Sequence, residues 1–189
     1  MVIASIDSLS VGLASAALVL VLGSMLVELW VSQRNEREFR RQGAVDAPDP
    51  VYAVMRWAYP VAFVAMAVEG GLSGAPFGWQ TPAGIVVFVA AKALKVWAIR
   101  SLGTRWTYRV LVHPGAPLVT TGPYAWLRHP NYVGVVGELV GMGLMMHATV
   151  SGPLTTLFFM ELLRRRIAAE ERALGRTRPA DGTPTALRR

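Results

Sequence analysis

The sequence predicts an all-α, polytopic membrane protein with five transmembrane helices. Three observations carry that expectation. Of 189 residues, 53% are hydrophobic and 16% charged, too apolar a balance for an ordinary soluble domain of this size. The apolar residues gather into runs of helix length, separated by polar joints that contain Gly and Pro. Lys and Arg are abundant in every second joint and absent from the others.

The first run, Leu9 to Val31, is long enough to cross a hydrocarbon core of ~30 Å as a helix. The residues before it carry no Lys or Arg, unlike a secretory leader, so a retained span is expected. A second run from Val51 to Leu72 and a third from Thr81 to Ile99 are separated by GGLSGAPFGWQTP, a turn signal. Tyr132 to Met146 and Pro153 to Leu163 follow, joined by HATVSG. The last run is short, covering roughly 18 Å at the helical rise. The helix is therefore expected to continue beyond the membrane surface through RRRIAAEERALG, stopping at Gly175. The predicted organisation is one membrane-embedded domain over residues 1–175. It carries a polar hinge over about 101–132 and a final helix over about 153–174, and a flexible basic tail occupies 176–189.

The charges orient these spans. Arg34, Arg37, Arg40, Arg41 and Arg56 follow the first run, and Lys92, Lys95, Arg100, Arg105, Arg109 and Arg128 surround the third joint. The final helix ends with Arg164, Arg165 and Arg166, while the second and fourth joints have no basic residue. By the positive-inside rule the N-terminus lies outside the cell membrane, and the first joint, the third joint and the C-terminus face the cytoplasm. That distribution accounts for the net charge of +7 and excludes nucleic acid as its explanation. With no cysteine, disulfides, thiolate metal sites and cysteine nucleophiles are excluded as well, and no metal is expected.

Chemistry is expected in TTGPYAWLRHPNYVG, Thr120 to Gly134, at the cytoplasmic mouth of the fourth span. Pro130 suits the first position of that helix, where a missing N–H costs nothing. Turns at Gly122–Pro123 and at HPGAP, His113 to Pro117, fold the hinge back on itself. This holds Tyr124, Trp126, Arg128, His129 and Tyr132 at the membrane surface, and Trp126 reads as an interfacial aromatic. On the final helix, Arg166 and Glu170 are four apart and share a face, with Glu171 beside them. A short hairpin draws that extension toward the hinge, where a carboxylate, an arginine, a histidine and tyrosines would converge. Inside the spans, Glu138 is either a functional group, such as a contact for substrate, or a paired structural one. Lys92 and Lys95 are expected to snorkel to the interface, and Glu28, Glu69 and His147 lie near span ends within reach of water. Gly134, Gly137 and Gly141 recur at helical spacing and suit close helix packing.

The run LVTTGPYAWLRHPNYVG from Leu118 to Gly134, followed by an apolar hairpin and RIAAEERAL from Arg166 to Leu174, resembles the isoprenylcysteine carboxyl methyltransferases. The match covers roughly the C-terminal half and lacks the aromatic residues that usually follow the paired glutamates. The resemblance implies an integral-membrane enzyme that uses S-adenosylmethionine. It places Ala116, Pro117, Leu118, Val119, Tyr124, His129, Pro130, Asn131, Tyr132 and Glu170 around the cofactor, with Arg109 as a further contact. It makes Arg166 the catalytic residue that faces the substrate carboxylate. The expected acceptor is a lipophilic or lipidated molecule, such as an isoprenylcysteine-like or other lipid acid. Rival readings are a phospholipid N-methyltransferase, a membrane reductase binding NADPH in the same hinge, and a small transporter or scaffold centred on Glu138. No GxGxxG follows a strand pattern, so the hinge would have to bind the cofactor without a soluble nucleotide-binding domain.

Overall fold

The computed structural model describes residues 8–73, 78–113 and 116–175. Each apolar run forms one helix: α1 (Ser8–Arg41), α2 (Tyr52–Ser73), α3 (Gln80–Leu102), α4 (Pro130–Met145) and α5 (Ser151–Ala173). The stretches Val11–Arg41 and Gln80–Arg105 are long and apolar enough to cross a membrane. Outward-facing Leu20, Leu26, Val61, Val86, Leu154 and Leu157 leave an apolar exterior, while Phe63, Met66, Leu139, Met142 and Phe159 form the interior.

α1 outruns its apolar stretch by ten residues, from Val31 to Arg41. Its polar end is held locally by the Glu36 to Arg40 pair at 2.9 Å, the favoured order for an i,i+4 ion pair. α5 is continuous through Ala173, and Gly175 stands just beyond it with φ of 67°, the left-handed stop that glycine adopts freely. At the other end of α5, the Glu69 carboxylate of α2 accepts hydrogen bonds from the N–H groups of Val150 and Ser151, at 2.9 and 2.7 Å. A carboxylate there satisfies open donors and complements the helix dipole.

α3 and α4 pack most closely, through the small residues expected to do so. A Cβ on Gly141 would lie 2.6 Å from the backbone nitrogen of Phe88, and one on Gly137 would lie 2.7 Å from Cβ of Ala91. Backbone offers no give, so Gly141→Ala is expected to separate the two helices and cost about 3 kcal/mol, the upper range for overpacking. Thermal unfolding in detergent measures it.

Two features depart from a bundle of plain helices. Val45–Asp46 (β1) pairs antiparallel with Leu111–Val112 (β2), tying the first joint to the third. Asn35 of α1 adds two bonds, from Nδ2 to the carbonyls of Gly103 at 3.0 Å and Trp106 at 2.9 Å. The expected flexible tail over 176–189, Pro114 and Gly115 of the HPGAP turn, and residues 74–77 of the second joint lie outside the described residues.

The second departure is a ring of alternating charge inside the bundle. Lys95 Nζ lies 2.7 Å from Glu28 of α1 and 3.4 Å from Glu138 of α4, and Lys92 Nζ lies 3.0 and 2.9 Å from the same two carboxylates. The approach of Lys92 to Glu138 Oε1 is an ion contact without hydrogen-bond alignment. Tyr59 of α2 donates its hydroxyl to Glu138 at 2.6 Å, and Tyr108 donates to Glu28 at 3.3 Å. These positions correct two expectations. Lys95 is 2% exposed and does not snorkel, and Glu28, at 7%, is sealed from water. Buried carboxylates hold the lysines in place, because an ammonium inside the bundle is tolerated only when paired. Glu138 itself has no exposed surface and is paired with Lys92, Lys95 and Tyr59, the arrangement expected of a paired structural group.

Candidate functional site

Where α4 begins and α5 ends, four elements bring polar groups together. Pro130 is the first residue of α4, which sets His129 immediately outside the helix and Tyr132 on its first turn. Their rings stack at 5.6 Å with 17° between planes. α5 runs past them carrying Glu170 and Glu171. The Tyr132 hydroxyl donates to Glu170 Oε2 at 2.8 Å. His129 Nε2 lies 3.3 Å from Glu171 Oε1, and Nδ1 lies 3.8 Å from Glu170 Oε2.

Arg166, one turn before Glu170, is the centre of a second layer. Its Nε donates to the Tyr132 hydroxyl at 2.9 Å, its Nη1 to Asp49 Oδ2 at 2.6 Å, and its Nη2 to the backbone carbonyl of Tyr108. The shared helix face thus leads to no direct Arg166–Glu170 pair in this arrangement: the phenol of Tyr132 stands between them. Asp49 uses its other oxygen to accept from the N–H groups of Tyr52 at 3.1 Å and Val51 at 3.3 Å, capping the start of α2. Tyr108 is held in turn by its N–H, which donates to the Ser32 hydroxyl at 2.7 Å. Burial first, and then the neighbouring Glu170 carboxylate, raise the Tyr124 hydroxyl above the ordinary phenol range, so it stays protonated as a donor at neutral pH.

Of the residues expected around the cofactor, the structure therefore gathers His129, Tyr132 and Glu170, with Tyr124 close enough to Glu170 for its charge to be felt. Pro130 is buried beneath them as the helix start. Asn131 accepts a bond from the Trp106 indole at 3.3 Å. Ala116 to Val119 form surface backbone, tied down where Arg105 donates to the Pro117 carbonyl at 2.5 Å. Arg109 is drawn elsewhere: it lies over the Tyr52 ring at 5.1 Å and near Glu36 at 3.6 Å. Trp126, 77% exposed, packs its edge on Trp97, in keeping with an interfacial role.

Three members of the cluster went unnamed by sequence reasoning: Asp49, Tyr108 and, as a partner of His129, Glu171. Asp49 had a local signal, an aspartate followed by Pro50 just before an apolar run, which marks a helix start. Nothing local announces that it faces an arginine 117 residues away.

Comparison with known proteins matches residues 84–176 to the family model of the "Isoprenylcysteine carboxyl methyltransferase (ICMT) family". That span contains Tyr108, Tyr124, His129, Tyr132, Arg166, Glu170 and Glu171. The chain is 33% identical over 148 residues to the uncharacterized protein YpbQ of Bacillus subtilis, covering 78% of this chain and 88% of that one. An uncharacterized protein of Haemophilus influenzae is 22% identical, with 84% of this chain and 93% of the relative covered. The protein-S-isoprenylcysteine O-methyltransferase of Rattus norvegicus is 30% identical over 98 residues, which span 51% of this chain and 34% of that enzyme. No solved structure matches the chain. The matched segment is the one that builds the His129, Tyr132 and Glu170 cluster, and with this agreement of sequence and placement the chain belongs to the isoprenylcysteine carboxyl methyltransferase family.

Proposed function

We propose that this protein is an S-adenosylmethionine-dependent O-methyltransferase acting on a lipophilic acceptor carboxylate at a membrane surface. The observation that carries the reading is the meeting of His129 and Tyr132 with Glu170 and Glu171, inside the segment shared with the family.

The donor set fits that cofactor. Carboxylates suit its ammonium group and ribose hydroxyls, the faces of Tyr132 and His129 suit the adenine or the sulfonium, and Tyr124 offers a protonated hydroxyl. When bound, S-adenosylmethionine supplies a methyl group activated by the positive sulfur. The chain's own part is placement. An acceptor carboxylate is ionised at neutral pH and needs no general base. Arg166 has three of its five N–H donors engaged by Tyr132, Asp49 and Tyr108, and in this reading the other two orient the acceptor. Holding the oxygen in line with the methyl group, away from water, is then the main source of rate.

In the same reading all five helices are membrane segments, with the N-terminus outside and the site facing the cytoplasm from the cell membrane. The Lys and Arg distribution and the apolar outer faces support it. Residues 1–175 act as a single membrane-embedded unit, and the lipid part of the acceptor approaches from the bilayer side.

Titration calorimetry of the purified protein with S-adenosylhomocysteine, followed by mass spectrometry of lipids incubated with a labelled methyl donor, tests the reading. Binding and a methylated lipid product are expected. NADPH oxidation without methyl transfer, or no binding at all, overturns it. Arg166→Lys, which keeps the charge but loses the planar fork, is expected to lower kcat/KM for the acceptor by about 100-fold. Turnover unchanged at every acceptor concentration would remove the carboxylate clamp.

A further inference from the structure

The polar contacts at the site do not end with the family-matched segment. They continue from Glu170 through the Tyr132 hydroxyl at 2.8 Å and Arg166 Nε at 2.9 Å to Asp49 at 2.6 Å from Nη1. Every link is an oriented, charge-assisted or phenolic hydrogen bond. The two end members of the inner pair are nearly closed to water, with side-chain exposure of 7% for Arg166 and 8% for Asp49. Asp49 is also anchored from behind, because its second oxygen caps α2.

We propose that Asp49 is a positioning residue for the cofactor site, acting through Arg166 and Tyr132 on the Glu170 carboxylate. The inference rests on the methyltransferase reading above and extends it to a residue outside the matched span of 84–176. The direction of the chain of bonds supplies the mechanism. Asp49 and the Tyr108 carbonyl fix the plane of the guanidinium, which leaves Nε–H pointing at the phenol oxygen. With that oxygen already accepting from Arg166, the phenol proton is directed to Glu170. One Glu170 oxygen is thereby held in place, and the carboxylate is presented in one orientation. Without the Asp49 charge, the guanidinium loses one of the contacts that fix its plane, and Tyr132 loses its fixed direction.

Asparagine separates this role from capping, since its carbonyl still accepts from Val51 and Tyr52 while the charge facing Arg166 is gone. Asp49→Asn is expected to weaken S-adenosylhomocysteine binding about 10-fold, the worth of one charge-assisted hydrogen bond, and also to lower the melting temperature because the buried Arg166 charge loses its partner, so binding is read at a temperature where the variant is folded. Asp49→Glu, which restores the charge, is expected to recover most of the affinity. Combined with Glu170→Gln, Asp49→Asn is expected to add almost nothing, as residues acting in one network do. Full additivity, or an Asp49→Asn protein that binds like the parent, overturns the proposal. A measurement without ligand keeps the two readings apart. The Arg166 Nε–H resonance, in protein labelled at arginine nitrogen, is expected to exchange slowly with solvent in the parent and rapidly in Asp49→Asn. An identical resonance in both sinks the positioning role, whereas failure of the parent to bind S-adenosylhomocysteine sinks the methyltransferase reading.

Discussion

Replacing Glu138 with glutamine is expected to destabilise the folded protein by about 3–5 kcal/mol, the cost of leaving a buried charge without its partner. Two glutamates and two lysines make the ring neutral, and the mutation leaves one ammonium uncompensated within the bundle. Glutamine keeps the shape and still accepts the Tyr59 hydroxyl, so neither a cavity nor a lost tyrosine bond accounts for the effect. For a chain of this length the melting temperature in detergent should fall by on the order of 10 °C. Adding Lys95→Met removes the surplus charge and is expected to restore most of the loss, since apolar replacements of buried pairs are often tolerated. If Glu138→Gln melts with the parent, the ring does not hold four ionised groups.

Glu170→Ala is expected to weaken S-adenosylhomocysteine binding by about 10–100-fold, the range for losing hydrogen bonds to a charged group. Two losses combine: the carboxylate proposed to receive the cofactor's hydroxyls or ammonium, and the acceptor that fixes the Tyr132 proton. His129→Ala should lie at the lower end of that range, since it removes the stacked ring and the bond to Glu171 but leaves Glu170 in place. Arg128→Ala is the control. Its side chain is 83% exposed and sits 3.9 Å from Glu171, an arrangement expected to contribute almost nothing. Calorimetry on the three variants decides the matter: equal affinities across them would take Glu170 and His129 out of the cofactor site.

The local parts of this protein were legible in its residues. Each apolar run became a helix, with α1 alone running ten residues past its expected end at Val31, Pro130 opened α4, and Gly175 stood as the stop after α5. The expected meeting of the hinge with the end of the last helix is also seen, with His129 Nδ1 3.8 Å from Glu170. Lys92 and Lys95 show where that kind of reasoning stops. Taken alone, each has a flexible stem that can reach an interface, and the residues that hold them instead lie on α1 and α4, 64 and 43 positions distant for the pairs Lys92–Glu28 and Lys95–Glu138.

Hydropathy and turn chemistry act between neighbours a few residues apart, so the sequence by itself determined the helices, their order and the polar hinge that carries the family pattern. Which carboxylate meets which cation was decided only by tertiary structure. The charge ring inside the bundle and the Asp49–Arg166 pair join side chains from separate helices, and a buried charge takes whatever partner the packing brings within a few ångströms.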